Sequence, residues 1–108
     1  MNDVFKVFNR AITNSLIDLY RCPAAKQAVV QVNVCNRTAG AVAYRLSVAA
    51  EGEADATSQY LEYDTSQAAN TSSVKRGILL GPTDVIRAYA ASAAITVTAF
   101  VLETPVPT

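Results

Sequence analysis

Three stretches of this chain alternate between apolar and other side chains, and a period of two constrains a fold more tightly than any composition can. In "AVVQVNVC", Val30, Val32 and Val34 share one face while Gln31, Asn33 and Cys35 share the other. In "AVAYRLSVA", Val42, Tyr44, Leu46 and Val48 oppose Ala43, Arg45 and Ser47. In "AITVTAFVL", Ile95, Val97, Ala99 and Val101 oppose Thr96, Thr98, Phe100 and Leu102. Each reads as a half-buried strand, rich in the β-branched and aromatic types that fit a pleated surface. Shorter strand patterns at 15–21, 59–64, 74–80 and 84–90 bring the total to about seven, or eight if the N-terminal segment pairs. Turn chemistry separates them: Cys22-Pro23, "NRTAG" at 36–40 and "LGPTD" at 80–84. Nothing reads as a crossover helix. The pattern predicts an all-β protein, a single antiparallel β-sandwich of jelly-roll-like kind.

A chain of 108 residues is one domain and can bury a core without a metal or a disulfide framework. Residues 13–103 make the predicted sandwich. Residues 1–12 form either an N-terminal arm or a first strand, and the spacing of Phe5, Phe8 and Ile12 also allows a short helix. Residues 104–108 are expected to be an extended tail, because prolines at 105 and 107 cannot continue a ladder and favour polyproline geometry. The stretches 50–59 and 66–74 are small, polar and aperiodic, as solvated loops are. Apolar side chains near the ends are the candidate assembly contacts: Val4, Phe5, Val7, Phe8, Pro105 and Pro107.

Nine basic and nine acidic residues give a formal net charge of zero, which argues against nucleic acid as a partner. No apolar run approaches the ~20 residues of a membrane helix, and the first residues lack the pattern of a secretion signal, so synthesis in a cytoplasm and no membrane partner are expected. There is no histidine, and the two cysteines alone cannot complete a zinc shell. Cys22 is expected in an accessible turn and Cys35 near the far end of a strand, too far apart to bridge each other. They are read as free thiols or as candidate intermolecular thiols linking neighbouring copies. "EGEAD" spaces Glu51, Glu53 and Asp55 suggestively but lacks the glycine position and closing glutamate of a calcium loop. Without histidine, no serine or cysteine has its usual activating base. The chain is therefore expected to be non-enzymatic and to need no cofactor.

The segments "LYRCPAAKQAVV", "VNVCNRTAGAVAYRLSVA", "YLEYD" and "GILLGPTDVIRAYAASAAITVTAFVLE" resemble small β-sandwich accessory proteins of tailed-phage virions. Leu19-Tyr20, Pro23, Asn36, Arg45, Tyr63-Asp64 and Asp84 hold the matching positions, across residues 16–103. The resemblance implies a virion location after synthesis in a host cytoplasm, with other virion proteins (capsid or tail subunits) as partners; the near-neutral charge does little to prevent self-association, so a homo-oligomer is also expected. A head decoration or cement protein is the leading expectation; a collar, tail or baseplate accessory is the alternative within that class. A glycan-binding module using Tyr60, Glu62 and the 50–59 loop is the competing class.

Overall fold

The computed structural model describes residues 3–106, and in it the alternating stretches become eight strands. These are β1 (Val4–Ile12), β2 (Ile17–Arg21), β3 (Lys26–Asn36), β4 (Val42–Ala49), β5 (Tyr60–Gln67), β6 (Ser72–Leu80), β7 (Val85–Ala90) and β8 (Ile95–Pro105). Four antiparallel pairings are nested: β4 with β5, β3 with β6, β2 with β7 and β1 with β8. The chain is one long hairpin doubled about the β4–β5 connection, rolled so that successive pairs fall in alternate sheets. The resulting orders are β1-β8-β3-β6 and β2-β7-β4-β5. That is an eight-stranded jelly roll.

The core lies between the sheets and is built from the predicted inward sets. Val30, Val32 and Val34 on β3 and Val97, Ala99 and Val101 on β8 join Tyr44, Leu46, Ile86 and Ala88 of the other sheet in one cluster. Each fully buried valine contributes about 1.5–3 kcal/mol relative to exposure, so the period of two is enforced energetically. Polar turns close the ends. The buried Asn36 side chain donates to Gly40 O (2.8 Å) and Gln67 O (3.0 Å) and accepts from Thr38 N (3.0 Å). Asp84 accepts from Gly81 N (2.8 Å) and Glu51 N (2.9 Å).

Bulges shift the alternation where it does not suit the core. Asp18 pairs with Arg87 and Tyr20 with Ile86, so Leu19 is an extra residue, and Leu19 and Tyr20 both turn inward. On β6, Arg76 and Gly77 together face Gln31, with Gly77 at φ +70, a value that glycine adopts without strain.

Several expectations at the ends are revised. Val4–Ile12 is neither a helix nor a free arm: it pairs with β8 along its whole length, from Val4↔Glu103 to Ile12↔Ile95. The tail begins later than 104, because Thr104 and Pro105 pair with Gln27 and Lys26, and Val106 N donates to Ala25 O (3.1 Å). Pro105 sits at the last strand position, where a missing N–H costs no interior ladder bond. Pro107 lies outside the described residues. The segment 66–74 is mostly strand; its loop shrinks to a turn in which Asn70 takes φ 54.

β1 and β2 face one another at one open side of the sandwich, and a buried carboxylate ties them to β8. Glu103 is 2% exposed; it accepts the Tyr20 hydroxyl and pairs with Lys6 Nζ at 3.0 Å. Phe8 stacks on the same tyrosine, ring centroids 5.3 Å apart. Burial alone would raise the Glu103 pKa, but Tyr20 and Lys6 outweigh it and hold the carboxyl below the ordinary glutamate range. The unfolded chain thus takes up this proton at a higher pH than the folded one, so stability rises with pH across that interval. The contribution is complete above the ordinary glutamate range and lost as pH falls through the depressed value. Denaturant titrations between pH 3 and pH 7 should show this acid-side loss, and Glu103→Gln should flatten it. Tyr20→Phe, which removes one donor from a buried carboxylate, should cost about 1–3 kcal/mol at neutral pH.

Candidate functional site

Because inward positions take the valines, the outer face of β1-β8-β3-β6 was free to be polar. Half of it is not. Cross-strand register lines up Phe5, Leu102, Val29 and Leu79 in one row spanning all four strands. Phe5 and Leu79, at the two ends of the row, are 81% and 73% exposed. The next row holds Val7, Phe100 and Gln31, and there the β6 bulge presents Arg76 together with Gly77, which has no side chain. The missing side chain at Gly77 helps to leave a hollow of about 310 Å³, bordered by Phe5, Val7, Val29 and Phe100 and, on its polar side, by Gln31 and Arg76. No atom lies within 4 Å of where a Gly77 Cβ would sit.

Toward the opposite end the same face turns polar and binds itself. Asn9 Nδ2 donates to Thr98 Oγ1 (2.8 Å) and Gln31 Nε2 to Asn33 Oδ1 (3.3 Å). Arg37 Nε donates to Thr96 Oγ1 (2.8 Å), beside Cys35 in the last row. Within the four strands the outward positions carry no Asp or Glu, and Arg76 is their one charge. A contiguous apolar patch at one end of a nearly uncharged sheet face has the composition of a contact surface.

The predicted contact residues divide accordingly. Phe5 and Val7 stand on this face. Phe8 points the other way, against the core and Tyr20; Val4 shares its side of β1 by alternation but stays exposed beyond the core. Pro105 is exposed at the end of β8, where it shares the parity of the inward set and does not belong to the apolar row. Cys22 is not accessible: it is 1% exposed, its thiol donates to Lys26 O (3.4 Å), and burial pushes its pKa up. Backbone bonds from Cys22 N to Asp84 O and from Thr83 N to Cys22 O draw that turn under the sandwich. Cys35 is half-buried on the outer face. Val29, Leu79, Phe100 and Leu102 were not singled out from the sequence; their signal is an apolar residue on the outward half of an alternating pattern.

The other sheet's outer face carries a different cluster. Arg45 lies between the rings of Tyr63 (4.2 Å) and Tyr89 (4.9 Å) and pairs with Asp64 through both carboxylate oxygens (2.6 and 3.2 Å). The guanidinium holds the Asp64 carboxyl below the ordinary range. Tyr60 packs edge-on to Tyr63 with centroids 4.9 Å apart, donates to Asp55 Oδ1 (2.7 Å), and has its pKa pushed up to about 12 by burial and that carboxylate. Tyr60 and Glu62, grouped in the glycan-binding expectation and placed on one face by simple alternation, do not share a face. Ser47 pairs with Tyr60 and Leu46 with Glu62, so a bulge at Leu61 puts them on opposite sides. Glu62 turns toward the sandwich edge, where it meets Lys75 and Thr65. A second bulge, with Asp64 at φ 52, brings Tyr63 and Asp64 outward. The 50–59 segment is exposed yet not idle: it lies over β4 and β7, where Ser47, Ala49 and Val85 are buried, and Arg87 reaches Asp18 Oδ1 (3.1 Å) and Gly52 O (3.5 Å). Among the described residues no cluster of acidic or thiol groups could hold a metal ion.

No family model matches the chain, no curated protein is similar to it, and no solved structure matches its fold at a significant level. The chemistry of its surfaces is therefore the basis for a functional reading. The thiols offer a direct check: in the native protein a maleimide should modify Cys35 alone, Cys35→Ser should abolish that labelling, and Cys22 should react only on unfolding.

Proposed function

We propose that this chain is a non-enzymatic structural subunit of a tailed-phage virion, most concretely a head decoration or cement protein that holds neighbouring subunits by non-covalent contact. The observation that carries the reading is the apolar row Phe5–Leu102–Val29–Leu79, which a single copy leaves in water. The jelly roll supports it by analogy, since viral capsid domains use that architecture, as do lectins. The sequence resemblance over residues 16–103 points the same way. A surface patch of this size would give a modest contact alone, and repetition over a particle would make many such contacts firm. A collar, tail or baseplate position uses the same chemistry.

A second reading rests on the Tyr60–Tyr63–Arg45–Tyr89 cluster, where exposed rings beside carboxylates offer a flat platform for a sugar. A glycan array read with Tyr63→Ala as control discriminates: a Tyr63-dependent sugar signal favours the glycan module.

Leu79→Asp and Phe5→Asp change exposed side chains, so both variants should keep the parent melting temperature. Binding to virions stripped of this protein should fall at least about tenfold, the loss expected when an anchor of a contact surface acquires a charge. Undiminished binding by both variants overturns the docking reading, and immunolabelling of particles by electron microscopy separates head from neck and tail.

A further inference from the structure

We propose that the partner seated on the β1-β8-β3-β6 face is a second copy of this chain, with Leu79 of each copy packing against Phe5 at the β1 side of the other's hollow; the inference rests on the docking reading above. Knob and hole occur together on this face. Leu79 projects from one side of it at 73% exposure, and the hollow of about 310 Å³ opens between the neighbouring strands. A two-fold axis running along the strands satisfies both halves at once, because each copy then supplies one leucine and one hollow. It also lays the apolar row of one copy over the apolar row of the other.

Area and charge favour this occupant. Strands of 9, 11, 11 and 9 residues, four abreast, form the face. At about 4.8 Å between strands and about 3.3 Å per residue, they cover roughly 600 Å² before side-chain relief is counted. That is close to the ~800 Å² each partner gives to a standard specific interface. A strongly charged partner would find little counter-charge here, since Arg76 is the one charged outward residue of these strands and Arg37 lies at the far polar end. A nearly uncharged face is matched by another of the same kind, and a chain of zero net charge has no net charge with which to repel its own copy. Packed in this way the two faces lie about 10 Å apart with strands near parallel. The Cys35 rows then meet at the polar end, within reach of a short bis-maleimide.

Sedimentation equilibrium and bis-maleimide treatment of the full-length protein test this together with virion binding by the Leu79→Asp variant. The expected result is a dimer that cross-links through Cys35, with Leu79→Asp folded and its dissociation constant raised at least about tenfold. A dimer that survives Leu79→Asp unchanged overturns the proposal and points to strand pairing at the free edge of β1 instead. A protein monomeric throughout, whose virion binding still requires Leu79, overturns self-pairing and leaves the docking reading standing. If neither self-association nor virion binding responds to Leu79, both fail.

Discussion

The closure of β3 and β8 over β4 and β7 is the constraint on which the rest of this molecule depends. Val30, Val32 and Val34 occupy successive inward positions of β3, and Val97, Ala99 and Val101 do the same on β8, so the middle of one sheet is a continuous apolar floor. Leu46, Ala88 and Ile86 supply its ceiling. Once that layer is sealed, the outward positions are not needed to fill the core. The two outer faces are free to differ, and they do: one is half apolar and nearly uncharged, the other holds a stacked arginine with tyrosines and carboxylates.

Where alternation ran unbroken, the sequence disclosed the structure. The inward and outward sets of β3 and β8 are those read from "AVVQVNVC" and "AITVTAFVL", and from them came the sandwich and its two layers. What escaped were the bulges. An extra residue at Leu19, Leu61 or Arg76–Gly77 reverses the parity of everything beyond it, and parity is the only information that a period of two carries. So Tyr60 and Glu62, two apart in sequence, face opposite ways. Cys22 escaped for another reason. Its burial comes with pairing to Asp84, which extends the β2–β7 ladder within one sheet, a contact between residues 62 positions apart (84 minus 22) that local turn chemistry does not encode.

The apolar contact surface was half legible. Phe5 and Val7 were visible because they stand near a terminus, whereas Leu79 and Val29 belong to the same surface only once register brings β6 and β3 beside β8. β1 shows how such an edge is kept from pairing indiscriminately. Lys6 turns its charge inward to Glu103, and an inward-pointing cation on an edge strand is costly to bury against a foreign strand.

The lack of acidic side chains across the β1-β8-β3-β6 face also decides which solution conditions would govern contact through it. With no ion pairs to screen, ionic strength has little leverage there. Release of ordered water supplies the attraction instead, and that driving force weakens on cooling. An assembly built on this surface would loosen in the cold and tighten with mild warming or sulfate, the opposite of one held by opposite charges.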